Sequence, residues 1–135
     1  MSRTLGYIVV AALALAAVPA RAHHSFAAEY DEKKPTKMSG KVTSMKWSNP
    51  HAWIYVDVKK PDGTIENWAI ETGTPNTLLR RGLKKTDLPA GTALKVSGYQ
   101  ARDGTAKANG VNVTLPDGRA LTIGSGGVGA PPENR

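Results

Sequence analysis

The chain has 135 residues, no cysteine and a formal net charge of +7 at pH 7. Without cysteine, it cannot form disulfides, thiolate metal sites or the Cys-x-x-Cys-His attachment of a c-type haem. The basic charge favours anionic partners such as acidic polysaccharide, lipid head groups or nucleic acid, with a merely soluble basic surface as the alternative.

The N-terminus has the pattern of a secretory signal peptide. Arg3 precedes an uncharged apolar stretch over residues 5–18, and the small residues Ala20 and Ala22 follow it. The stretch is shorter than the ~20 residues that a bilayer span requires. We therefore expect cleavage after Ala22, which removes residues 1–22 and leaves an exported periplasmic protein without a stable membrane anchor. A buried apolar helix or an anchor is the alternative.

The mature chain begins with a polar segment, and a strand pattern follows from Met38. Residues 23–37 lack a clean period, so we expect an extended N-terminal arm. A first strand is predicted over 38–47, and Ser48-Asn49-Pro50 predicts a turn. The clearest strand covers 51–59, because its residues alternate between two faces. One face carries Ala52, Ile54, Val56 and Val58, and the other carries His51, Trp53, Tyr55 and Asp57.

The second half continues the strand pattern around one short helix. A turn at Pro61-Asp62-Gly63 leads to a strand over 64–71, and residues 74–82 have the capping pattern of a helix. Further strands are predicted over 93–100, 107–115 and 119–123. Residues 124–135 are rich in glycine and proline, and we expect a disordered tail.

Three strands, a helix and two or three more strands are the element order of a small OB-like Greek-key barrel. We therefore predict an all-β domain of five to six strands over residues 38–123, with an open β-sandwich as the alternative. Six residues are predicted to be buried because they lie on apolar strand faces or have bulky β-favouring side chains. They are Ile54, Val56, Trp68, Val96, Val111 and Val113.

The three histidines are candidate metal ligands. After the expected cleavage, the α-amine and ring Nδ1 of His23 can chelate one ion, and His51 can complete a T-shaped or square-planar set that suits Cu(II). His24 offers a competing chelate through the α-amine, the intervening amide and its ring. Alternatively, the terminal histidines are only solvated and His51 is only a turn residue.

Two other groups of residues suggest binding. Met38, Met45 and Trp47 form a candidate soft-metal site near His51, but the odd spacing of the methionines favours a core-filling role. Trp53 and Tyr55 face outward and could stack on sugar rings, with charge from Arg102, Lys107 and Arg119. In the alternative, Trp53 packs on the arm or the helix. No carboxylate pair, phosphate loop or nucleophile signature supports an enzyme.

The chain resembles a family of small exported proteins of Gram-negative bacteria, described only as a domain of unknown function. The most specific segments are His-His-Ser-Phe at 23–26 and Asn-Pro-His at 49–51. The other matching segments are 27–31, 40–43, 47–48, 68–71, 79–82, 96–99 and 115–118. The resemblance covers nearly the whole mature chain and implies export and a compact β domain, but no established activity. A weaker resemblance to periplasmic copper and silver chaperones with small OB barrels carries no residue across.

Three functional hypotheses follow. The first is a periplasmic copper-binding or copper-handling protein that uses His23, His51 and, in the competing mode, His24. The second is a non-metal OB-type module that binds an anionic envelope glycan or a partner protein through Trp53 and Tyr55; export argues against nucleic acid. The third is a copper-dependent oxidative enzyme with the same ligands, which the small size of the chain disfavours.

Overall fold

Six strands and three short helical segments make up the described chain, residues 26–125 of a computed structural model. The predicted signal peptide, His23, His24 and most of the predicted tail lie outside these residues. No helix within 26–125 is long and apolar enough to cross a membrane. The elements are α1 (Phe26–Glu29), β1 (Tyr30–Lys46), β2 (Trp53–Lys59), β3 (Ile65–Glu71), α2 (Pro75–Arg80), a 3-10 turn (Lys85–Asp87), β4 (Ala93–Ala101), β5 (Lys107–Thr114) and β6 (Ala120–Thr122).

The strands form one sheet that closes on itself. Antiparallel pairing gives the order β3-β2-β1-β4-β5-β6, and a parallel pairing of β3 with β5 closes the first five strands into a ring. The long strand β1 pairs with β4 along its N-terminal part and with β2 along its C-terminal part. Helix α2 lies between β3 and β4 in the chain. The all-β, OB-like prediction is confirmed at the level of this closed ring of strands.

The ring encloses the core that the alternation in β2 predicts. Ile54 and Val56 are fully buried, and Val96, Val111 and Val113 are at most 5% exposed. Trp68 is the exception among the six predicted core residues, because it is only partly buried at the edge of the core. Its indole Nε1 donates a 3.1 Å hydrogen bond to Glu66 Oε2, a partner that is reached at the surface.

A conservative pair of substitutions tests this assignment of faces. Ile54→Val removes one methylene from a fully buried position and should lower the free energy of unfolding by about 1 kcal/mol. Tyr55→Phe, on the opposite face of β2, should change it by less than about 0.5 kcal/mol. Urea unfolding of both variants measures the two values. A larger loss for Tyr55→Phe would mean that the faces are reversed.

The first strand begins at Tyr30, eight residues before the predicted start at Met38. The predicted arm over 23–37 is therefore part of the sheet from Tyr30 onward, and its residues 26–29 form a helical turn. The register of β1 against β4 is irregular between Tyr30 and Pro35. Most side chains of this stretch are exposed on both faces, so no period-two pattern shows in the sequence.

Gly40 lies where β1 changes partners from β4 to β2. A Cβ atom at this position would lie 2.2 Å from the Asp57 carbonyl oxygen and 2.7 Å from Val56 Cγ1. Only glycine allows so close an approach of the two strands.

The short helix α2 has the predicted ends. Thr74 Oγ1 accepts a 3.1 Å hydrogen bond from the Thr77 amide, Pro75 occupies the first turn, and Gly82 follows the helix with a φ of +90°. Near the chain end, Gly124 is buried and its amide donates to the Val111 carbonyl. The ordered domain therefore includes Gly124, one residue beyond the predicted boundary.

Candidate functional site

His51 lies in the connection between β1 and β2, and its ring has a defined orientation. Its Nδ1 is 2.8 Å from the backbone carbonyl oxygen of Thr72. Because a carbonyl can only accept, this contact places a proton on Nδ1, and in the neutral ring Nε2 then carries the lone pair. The His51 side chain is 35% exposed.

The carbonyl that orients His51 is itself held firmly. Thr72 is fully buried, its amide donates to the Ala52 carbonyl at 3.0 Å, and the Ala52 amide donates to the Gly73 carbonyl at 3.0 Å. The Thr72 hydroxyl also lies 2.9 Å from the Ala52 carbonyl. These bonds tie the end of β3 to the residue that follows His51, so the imidazole is anchored on the rigid sheet.

Glu71 and Tyr30 form the second part of the site. Glu71 Oε1 is 3.6 Å from His51 Nε2, and the Tyr30 hydroxyl donates a short hydrogen bond to Glu71 Oε2. Tyr30 is 3% exposed, and the Glu71 side chain is 13% exposed. Burial raises the pKa of Tyr30 far above its ordinary value, and the hydrogen bond to the Glu71 carboxylate raises it further. The phenol is therefore a fixed donor that orients the carboxylate.

Helix α1, which precedes β1, is held beside Tyr30 and Glu71 by several contacts. The Phe26 ring stacks on Tyr30 at 5.7 Å between centroids and meets the edge of Tyr99 at 5.5 Å. Arg102 Nε donates a 2.7 Å hydrogen bond to the Ala27 carbonyl, and Lys107 Nζ is 3.1 Å from Glu29 Oε2. These contacts fix the position of Phe26, the first described residue, against the sheet.

Together these groups enclose a recess of about 40 Å³. That volume suits one water molecule or one ion, but no larger ligand. Its walls combine one imidazole, two carboxylates, a phenol and an amide. The lining residues are Phe26, Glu29, Tyr30, His51, Glu71, Asn109 and Ser125.

The Tyr30–Glu71 contact makes a specific prediction for alkaline stability. Folding raises the pKa of Tyr30. The contribution of its protonated hydroxyl to the free energy of unfolding is therefore fully present below pH 10, and it is lost above pH 10.0 as Tyr30 ionises in the unfolded chain. Between neutral pH and pH 11, the wild-type protein should lose about 1 kcal/mol more than Tyr30→Phe. Urea unfolding at several pH values measures the difference. Parallel curves for the two proteins would contradict the buried phenol.

The predicted ligand-binding residues do not line the recess, although Trp53 is the cross-strand neighbour of Glu71, which does. Trp53 and Tyr55 are partly buried on the outer face of β2, opposite Glu71 and Ala69 respectively. The cations expected beside them already have partners. Arg102 and Lys107 bind groups of helix α1, and Arg119 pairs with Asp117 and Asp87.

Met38, Met45 and Trp47, the candidate soft-metal site, lie in or against the hydrophobic core of the domain. Met38 is buried in the core, and Met45 and Trp47 pack against that core from partly buried positions. The three side chains therefore fill space in the fold. The odd spacing of the methionines does not separate them onto opposite faces, because the register of β1 against β2 shifts between Val42 and Ser44.

His51 is the one histidine among the predicted metal ligands that lies within residues 26–125. In that part of the chain, no group of three or more histidine, aspartate or glutamate side chains is placed to hold a metal ion. A metal at His51 would therefore need donors from outside the described residues. His23 and His24 lie in the preceding, undescribed segment, so their prediction stands untested.

Sequence reasoning missed the part played by Tyr30 and Glu71. Both stand in segments that carry the family resemblance, but their contact joins residues 41 positions apart. The alternation of β3 places Glu71 on the outer face, opposite Trp53. No local pattern brings the start of β1 to the same place.

Comparison with known proteins gives a family but no activity. A family model described as "Family of unknown function (DUF6152)" matches residues 11–112. No curated protein matches the chain. The matched segment contains His51, Tyr30 and Glu71 and extends from before the described residues into β5. Because the match covers most of its length, the chain belongs to this family of unknown function, DUF6152.

Proposed function

We propose that the protein is a periplasmic copper-binding protein whose site joins His51 to the mature N-terminus. The observation that carries the proposal is the bond from His51 Nδ1 to the Thr72 carbonyl, which presents Nε2 beside Glu71. Metal-ligating histidines almost always donate their other ring N–H to a carbonyl, carboxylate or water in this way. In the neutral ring with its proton on Nδ1, Nε2 carries the lone pair that a metal ion binds, and the contact with Thr72 orients it.

The path of the chain supports the participation of His23. Phe26 is fastened at the wall of the recess, and three residues in extended form span about 10 Å. Signal cleavage after Ala22 would give His23 a free α-amine within reach of His51. Its amine and ring, together with His51 Nε2, would then supply three nitrogen donors, a set that suits Cu(II).

Glu71 is proposed as a weaker oxygen donor to the same ion. Metal ligands in proteins lie about 2.0–2.2 Å from the ion, so two donors of one ion are at most about 4.4 Å apart. The 3.6 Å between His51 Nε2 and Glu71 Oε1 satisfies this limit. Tyr30 holds the second carboxylate oxygen and so acts as a positioning residue.

The size of the recess favours binding over catalysis. A volume of about 40 Å³ accommodates an ion but no organic substrate. The copper-dependent oxidative enzyme shares these ligands but also needs an open face for its substrate. The glycan-binding hypothesis at Trp53 and Tyr55 loses support, because the basic residues expected there are engaged with other groups.

The proposal is tested on protein exported through its own N-terminal sequence. Intact mass should show that the chain begins at His23, and titration against a competing chelator should show one tight Cu(II) equivalent. A mature chain that begins at Ala20 or Ser25 would remove the amine chelate and contradict the proposal. So would copper affinity no greater than that of a peptide with the sequence of residues 23–31.

A further inference from the structure

A second surface, which shares no lining residue with the recess, carries lysine side chains along a groove. Two shallow depressions of about 570 and 430 Å³ lie on the outer face of β1, β4 and β5. They share Ser39, Lys95 and Thr114, so they form one continuous groove. We call this surface the lysine groove, because its cations are Lys37, Lys41 and Lys95.

Strand register explains why the lysines converge. Lys37 lies opposite Ser97, Ser39 opposite Lys95, and Lys41 opposite Ala93. The cations therefore alternate with small side chains across two neighbouring strands. From Lys37 to Lys41 the strand advances about 13 Å, so the positive charge follows an extended line. An extended anionic chain fits this arrangement better than a single small anion.

The charges in the groove are uncompensated. All three lysines are exposed, and none forms an ion pair among residues 26–125. No carboxylate lines either depression. Two acidic residues border the groove. Asp57 lies opposite Lys41 on β2, and its Oδ1 accepts a hydrogen bond from Asn67. Asp117 lies between two lining residues of the groove, and its carboxylate pairs with Arg119. Ser97, Asn112 and Thr114 add neutral donors and acceptors between the cations.

We propose that the lysine groove binds an acidic polysaccharide. Lysine ammonium groups attract the carboxylates or other anionic groups of the polymer, while serine, threonine and asparagine side chains bond its hydroxyls. Single-stranded nucleic acid fits less well, because no aromatic side chain lines the groove for base stacking. A bilayer surface fits less well because the exposed large apolar residues, Ile65 and Leu79, lie outside the groove.

The test compares two triple variants with the same net charge. One carries Lys37→Gln, Lys41→Gln and Lys95→Gln, and the control carries Lys59→Gln, Lys60→Gln and Lys85→Gln at exposed positions outside the groove. The probes are polygalacturonate, neutral dextran, phosphatidylglycerol vesicles and an oligothymidylate. Urea unfolding confirms that each variant is folded, and Lys95→Gln alone provides a milder version of the groove variant.

At low ionic strength the wild-type protein should bind polygalacturonate and not dextran. The groove variant should bind roughly tenfold or more weakly, and the control should stay within about twofold of wild type. Equal losses in both triple variants would show an effect of net charge alone and overturn the proposal. Tighter binding to the vesicles or to the oligothymidylate than to polygalacturonate would also overturn it. Copper affinity should be unchanged in the groove variant, so this proposal and the copper site fail independently.

Discussion

A Gly-Ser-Gly-Ser extension ahead of His23 should weaken Cu(II) binding by at least about 100-fold, which corresponds to about 2.7 kcal/mol. The extension converts the α-amine of His23 into an amide and moves the free amine four residues away, so neither His23 nor His24 stands at the second or third position from it. The amine and the ring of His23 then can no longer form one chelate on the ion. Competition with a chelator of known affinity measures the change.

The control for this experiment is the same extended protein after proteolytic removal of the four extra residues. Its copper affinity should return to that of the protein exported through its own signal. Equal affinity of the extended and authentic proteins would show that the free amine is not a ligand. The copper proposal would then fail in its central feature.

His51→Ala should reduce Cu(II) affinity by roughly 30-fold or more and change the copper EPR spectrum, because it removes the one donor that the fold supplies with a fixed tautomer. His24→Ala should have a smaller effect, since its ring does not belong to the His23 chelate. Glu71→Gln should reduce affinity only a few-fold, because an amide oxygen retains part of the donor strength. Chelator competition and EPR on the three variants give the ranking.

The opposite ranking of the two histidine variants would indicate a copper site in the N-terminal peptide alone. If His24→Ala were severe and His51→Ala silent, copper would bind through the amine, the intervening amide and the His24 ring. Such a site forms in a flexible peptide and needs no contribution from the sheet. Unfolding curves for His51→Ala separate a lost ligand from a lost fold, because the side chain is 35% exposed and its removal leaves the core intact.

The core was predictable from sequence because one strand carries an unbroken alternation. In β2 the buried residues Ile54 and Val56 alternate with partly buried Trp53 and Tyr55, and this period of two identifies the inner face without further information. The helix was predictable for a similarly local reason. Thr74, Pro75 and Gly82 each act within one turn of their own positions.

The start of β1 was not predictable in the same way. Between Tyr30 and Pro35 the register of β1 against β4 is irregular, and most side chains of this stretch are exposed. Neither face then needs apolar residues, so the sequence shows charges and a proline where the structure has a strand. Trp68 was misjudged for a different reason. Its bulk and β propensity favour burial, but its indole N–H keeps it at an edge where Glu66 can accept.

The candidate site shows what depends on tertiary structure. His51 was identified from its position after the Asn49-Pro50 turn, whereas its partners come from the ends of β3 and the start of β1. Tyr30 reaches Glu71 only because β1 is long enough to pair with β2 and β4 and bring its first residue back beside β3. Local patterns do not encode that closure.

The central claim is that folding creates the copper site, and linkage between binding and unfolding tests it most directly. A site that binds copper 100-fold more tightly in the folded chain than in the unfolded chain raises the free energy of unfolding by about 2.7 kcal/mol when copper saturates both states. Urea unfolding of the authentic protein with saturating Cu(II) should show this increase, and His51→Ala should not. An unchanged unfolding midpoint for the authentic protein would place any bound copper on a flexible terminus and contradict the account.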